Sequence, residues 1–207
     1  MKTIVKKFNV YQYSELSEEA KEKVRIEYAG DPIRKEDFTN MIQEDLKNLF
    51  PNSELEVQWE FSYSYRDGVN IYGNLDIMDL VNMVQNNLCG DTYLKFKDFF
   101  SQKEIKTLKY YSDCCGDIEL PYNSFCSCCC VDEFDVEYWV SDLRINIDLI
   151  GKVQKYVINI FKKYCLDWKR IGYDYFDPDK LDEEEMKEIC DINNWWFLED
   201  GTRYIAA

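Results

Sequence analysis

From Glu54 to Tyr65 apolar and polar residues alternate without a break. Leu55, Val57, Trp59, Phe61, Tyr63 and Tyr65 fall on one parity, and Glu54, Glu56, Gln58, Glu60, Ser62 and Ser64 on the other. Successive side chains of an extended chain point to opposite faces, so a period of two predicts a half-buried strand. Arg66-Asp67-Gly68 follows, and Asp-Gly tolerates the positive φ that hairpin turns require. The return strand is then read from Val69, Ile71, Leu75 and Ile77, giving a hairpin over Glu54 to Ile77 with Trp59 and Phe61 buried.

Elsewhere the period changes to that of helices. After a first strand in "TIVKKFNVYQY", Ser17 is an N-cap, Glu18 and Glu19 suit the first turn, and Leu16, Ala20, Val24 and Tyr28 recur at i+4 until Gly30. A second helix is expected over about 35–50, with Phe38, Met41, Ile42, Leu46 and Leu49 on its inner stripe. Further helical segments are read at about 78–88 and 94–101. A long helix covers about 143–168, with Ile147, Ile150, Val153, Val157, Ile160, Phe161 and Tyr164 inward. Asp182 to Asn193 reads as a short capped helix, and Trp195 to Leu198 starts a terminal hairpin that turns at Asp200-Gly201. The sum is an α+β fold: an antiparallel sheet with helices packed on one face, in a single domain over 1–207 with a weak possible boundary near 90–103.

Six of the nine cysteines lie between Cys114 and Cys130. Read as a strand, residues 126–140 place Cys126, Cys128 and Cys130 on the same face as Phe134, Val136, Tyr138 and Val140, opposite Glu133, Asp135 and Glu137. Cysteine is a small hydrophobe when buried, so packing accounts for the run and no metal is expected. A zinc site, were there one, would use Cys114 or Cys115 with Cys126 and Cys129, of which only Cys126-x-x-Cys129 has an acceptable half-site spacing. Disulfides are not expected from an odd count with no sign of an oxidising compartment.

Forty acidic residues against 25 basic give a net charge of −15. That charge repels phosphate backbones and removes the counterion release that drives nucleic-acid binding, so no direct nucleic-acid partner is expected. It suits docking on a basic surface that ordinarily holds nucleic acid. There is no histidine, which removes the commonest general base and the commonest zinc ligand together. No nucleophile elbow, P-loop or kinase set is present, so neither catalysis nor a cofactor is expected. Were the chain an enzyme, Asp67, Asp76 and Cys129 would be the first residues to examine. No apolar run approaches eighteen residues and "MKTIVKKFNVYQY" lacks a signal-peptide core, so a cytoplasmic protein without a membrane partner is expected.

Three stretches, "YSELSEEAKEKVRIEY", "SYSYRDGVNIYGNLDI" and "EEEMKEICDINNWWFLEDGTRY", resemble in the same order a family of uncharacterised phage and prophage proteins. That family opens with an "eLSeeAKekAr" helix, carries a "QGDGAsFtG" turn and finishes with "aNeyeFtedGr". Asp67, Gly68 and Gly73 match the turn motif, whereas Tyr65 and Arg66 stand where the family has Gln-Gly, so no role of that Gln carries over. The resemblance implies a phage setting in a bacterial host cell and a non-enzymatic inhibitor of an antiviral defence protein, similar to anti-CRISPR proteins. The expected contacts are Tyr63, Tyr65, Arg66, Asp67 and Tyr72 of the hairpin, with Glu133, Asp135 and Glu137 and with Glu183, Glu184 and Glu185, since Tyr and Arg make hot spots and acids meet basic grooves. An antitoxin-like protein-binding module and a small zinc-stabilised interaction domain stay open as alternatives.

Overall fold

The computed structural model describes residues 7, 9–61, 67–82, 99–115, 117–120 and 147–205. These residues form an α+β fold of six α-helices with a three-stranded and a two-stranded antiparallel sheet. The chain divides into two compact units, one of residues 1–36 and 173–207 and the other of residues 37–172.

The larger unit is built on the alternating segment. Strand β1 (Glu54–Glu60) pairs with β2 (Gly68–Leu75), and β2 with β3 (Ile118–Leu120). Leu55 stands opposite Gly73, Val57 opposite Ile71 and Trp59 opposite Val69, while Gly73 and Leu75 face Leu120 and Ile118. Paired residues point the same way, so one face of the sheet is apolar, and the other carries Glu54, Glu56, Gln58 and Glu60. The same register pairs Glu60 with Gly68, so Gly68, expected in the turn, begins the return strand, while 62–66 lie outside the described residues. Ile77, expected on the strand, begins α3 (Ile77–Asn82) because Asp76 caps it, its Oδ1 accepting from Met78 N at 2.5 Å.

Helices α2 (Pro32–Leu49) and α5 (Ile147–Tyr175) cover the apolar face. The Phe38 ring meets Trp59 at 5.2 Å, Phe61 at 5.7 Å and Trp168 at 5.7 Å, all edge-on, and Phe50 stacks on Phe161 at 5.3 Å. Trp59 and Phe61, expected to be buried, stack on each other at 5.1 Å and are half-buried, with the Trp59 indole donating to Thr39 Oγ1 at 2.9 Å. Gly172 lets them approach α5, since a Cβ there would lie 2.2 Å from the Phe61 ring. Among the expected inner residues, Met41 and Ile147 are exposed, and α5 continues seven residues beyond Trp168.

Helix α4 (Gln102–Cys115) was not expected, although its start is written in the sequence. Ser101 N donates to Glu104 Oε2 at 2.6 Å and Glu104 N to Ser101 Oγ at 3.3 Å, a capping box that satisfies two otherwise orphaned donors. A buried carboxylate ties α3 to the chain before β1. Asp79 accepts from Asn52 N at 2.9 Å, Asn52 Nδ2 at 2.7 Å and Ser53 Oγ at 2.6 Å, and Ser53 Oγ accepts from Asp76 N at 2.9 Å.

In the smaller unit, Tyr11 makes an antiparallel bridge to Phe197, while residues 3–6 and 8 of the expected first strand lie outside the described residues. Helix α1 (Glu18–Ala29) starts at Ser17, whose Oγ accepts from Ala20 N at 3.3 Å. Its i+4 stripe of Leu16, Ala20 and Val24 packs with Tyr13, Leu181, Met186, Cys190 and Phe197. Helix α6 (Glu183–Ile192) and the hairpin of β4 (Trp196–Phe197) and β5 (Arg203–Tyr204) complete it. Gly201, at φ 80, turns the hairpin directly against α1: a Cβ there would stand 2.5 Å from the Ala20 carbonyl oxygen.

Candidate functional site

The acids proposed from sequence at the C-terminal end occupy the first turn of α6. Asp182 caps it, Oδ1 accepting from Glu184 N at 2.8 Å and from Glu185 N at 3.3 Å. This fixes the backbone of Glu183, Glu184 and Glu185 while all three side chains remain exposed, and the positive end of the helix dipole lowers the cost of holding three carboxylates together.

Beneath them lies a buried cation. The Lys21 ammonium donates to Glu183 Oε1 at 2.5 Å and to Glu18 Oε1 at 3.0 Å, and stands 5.9 Å from the centre of the Tyr13 ring. Its pKa is raised, first by the bond to Glu183 and then by that to Glu18, so it stays an ammonium and joins α1 to α6. Tyr13 OH accepts from Arg25 Nη1 at 3.3 Å, and burial raises the phenol's pKa against the opposing pull of Arg25, which keeps the ring neutral. Beside this cluster an open groove of about 500 Å³ is lined by Tyr13, Ser14, Glu183, Glu184 and Lys187.

Of the three acids, Glu183 is already paired with Lys21. Glu184 and Glu185 have no ion pair among the described residues. Two unpaired carboxylates on a fixed backbone, next to a groove with an aromatic wall, can accept hydrogen bonds from an ammonium or guanidinium. Sequence reasoning found the glutamates and missed Lys21, Tyr13, Ser14 and Lys187. The pairing of Lys21 with Glu183 spans 162 positions and leaves no local signal, whereas Lys187 could have been added from its i+3 spacing to Glu184.

The hairpin residues are not brought together with these acids. Asp67 is fully buried and its carbonyl accepts from Lys169 Nζ at 2.8 Å, so the side chain is inside the fold and not on a contact surface. Tyr72 lies on the polar face of the sheet, half-buried, with its hydroxyl donating to Glu56 Oε2 at 2.7 Å across the strand pair. Tyr63, Tyr65, Arg66, Glu133, Asp135 and Glu137 lie outside the described residues, as do Cys126, Cys128, Cys129, Cys130 and the strand expected over 126–140. Cys114 and Cys115 are in the last turn of α4. Among the described residues no three His, Cys, Asp or Glu side chains are placed to hold a metal ion, and Cys165 and Cys190 are free, buried thiols. Burial pushes the Cys190 thiol up to about 11. No helix among the described residues is long and apolar enough to cross a membrane. Compared with family models, curated proteins and solved structures, the chain matches none.

Proposed function

We propose that this chain is a non-enzymatic binding protein of phage origin that inhibits a bacterial antiviral defence protein by docking on its basic, nucleic-acid-binding surface. The observation that carries the reading is the first turn of α6. Three exposed carboxylates are fixed there by the Asp182 cap, and two have no ion pair among the described residues, in a chain of net charge −15. Such a charge opposes nucleic acid as a ligand and favours a cationic protein surface, for which electrostatic complementarity raises the association rate and excludes the natural ligand. The groove lined by Tyr13, Ser14, Glu183, Glu184 and Lys187 offers a place for a lysine or arginine side chain of that partner.

The test is to express the chain in bacterial strains that each carry a single defence system and to count plaques of a sensitive phage. Plaquing should recover in at least one strain, and less so with Glu184→Lys/Glu185→Lys, which leaves the Lys21–Glu183 pair intact. Recovery in no strain, with the chain shown to be present and folded, overturns the inhibitor reading.

A further inference from the structure

Arg34, in the first turn of α2, is a buried charge without a counter-charge among the described residues. Its side chain is 8% exposed. The guanidinium carbon lies 4.1 Å from the centre of the Tyr175 ring and 5.0 Å from that of Tyr28, and Nη2 donates to the Tyr175 carbonyl oxygen at 2.5 Å. Nε is buried and has no hydrogen-bond partner among the described residues. The row continues beyond Tyr28: its ring meets Trp195 edge-on at 6.1 Å, and the Arg203 guanidinium lies 4.4 Å from the Trp195 ring. Tyr175, Arg34, Tyr28, Trp195 and Arg203 therefore form one ladder, all within the smaller unit. Neither arginine is ion-paired among the described residues, although acids outnumber bases by 40 to 25 in the sequence.

A guanidinium with aromatic rings beside it can still bond strongly in its own plane, where N–H groups match the two oxygens of a carboxylate. At Arg34 one in-plane bond is made to Tyr175 and the Nε–H is left over, an arrangement that costs free energy unless an acceptor completes it. We propose that the Arg34 end of this ladder is a carboxylate-binding site, with Arg34 Nε as the buried donor. The carboxylate comes from an acidic side chain of a partner protein or from a small free acid. Nε has no exposed area, so the carboxylate reaches it as Tyr28 or Tyr175, both half-buried, swings outward. The site is separate from the glutamates of α6 and would survive failure of the inhibitor reading.

The chain has six arginines, so their Nε–H groups can be resolved by nitrogen–proton NMR of arginine-labelled protein, with Arg34→Lys assigning the Arg34 signal. Sodium acetate and a blocked glutamate peptide are titrated in, with sodium chloride at matched ionic strength as control. The Arg34 signal should be slow to exchange with water, and should move downfield and saturate with either carboxylate but not with chloride. Tighter binding of the peptide assigns the site to a partner's side chain, and equal binding to a small acid. An Arg34 signal that ignores carboxylates, or that responds equally to chloride, overturns the proposal.

Discussion

Replacing Asp79 by alanine should remove the clasp that holds α3 to the start of β1. Three donors end on this carboxylate, at 2.6 to 2.9 Å, and its side chain is inaccessible to water. Hydrogen bonds to a charged acceptor contribute about 1.5–3 kcal/mol each, but Asn52 is exposed and recovers water when the carboxylate is gone. Ser53 Oγ recovers less, because it is half-buried and also accepts from Asp76 N. The net cost of Asp79→Ala is therefore about 2–4 kcal/mol. Asp79→Asn keeps the shape and one oxygen, and the Asn52 amide can turn to accept from the new NH₂, so its cost is about 0.5–1.5 kcal/mol. Ser53→Ala should cost about 1–2 kcal/mol and couple to Asp79→Ala by about 1 kcal/mol in a double-mutant cycle. Urea unfolding followed by circular dichroism measures the wild type and all four variants, the double one included, with unchanged m as the condition for comparing midpoints. A cost for Asp79→Ala below about 1 kcal/mol, or additivity of the two changes within about 0.3 kcal/mol, refutes the clasp.

Gly73→Ala should destabilise the larger unit by about 2–4 kcal/mol, read from the urea midpoint, because Gly73 has φ 111 and a Cβ would lie 2.2 Å from the Glu54 carbonyl oxygen; a neutral substitution contradicts the hairpin register. Asp200 accepts from Thr202 N at 3.0 Å, from Thr202 Oγ1 at 2.9 Å and from Lys23 at 3.2 Å, which hold its carboxyl at about 2. Since the folded value lies below the unfolded value of about 3.9, the contribution to stability is present above that pH and lost as pH falls through about 2. A carboxyl NMR titration should show the low midpoint, and Thr202→Val should raise it part of the way, since the first cause, the backbone N–H, remains.

Where signals were local, the sequence was readable. Ser17 and the Leu16, Ala20, Val24 spacing give α1, Asp182 gives the start of α6, and Asp200-Gly201 gives the last turn, each fixed by residues within four positions of one another. Glu54 to Glu60 was readable because one face is covered and the other is not. Asp67-Gly68 misled because turn propensity is a local preference, whereas pairing with β1 sets Gly68 opposite Glu60 at the start of the strand ladder. Helix α4 was missed although Ser101 and Glu104 announce it, since among its described side chains only Ile105 and Leu108 are buried, a thin apolar stripe. Of the candidate site, the glutamates were visible as a charge run. The burial of Lys21 beneath them and the stacking of Arg34 between Tyr28 and Tyr175 depend on partners far along the chain, which no spacing records.

The most direct test of the acidic docking account is the affinity of the chain for the defence protein whose inhibition restores plaquing, measured for the wild type and for Glu184→Lys/Glu185→Lys at about 50 and about 200 mM salt, between which the screening length falls about twofold. The account predicts that the reversal weakens binding at least about tenfold at low salt, roughly 1.4 kcal/mol, that higher salt slows wild-type association more than it speeds dissociation, and that the variant loses most of this salt dependence. Affinity within about threefold across all four measurements would contradict it, placing the contact away from the first turn of α6.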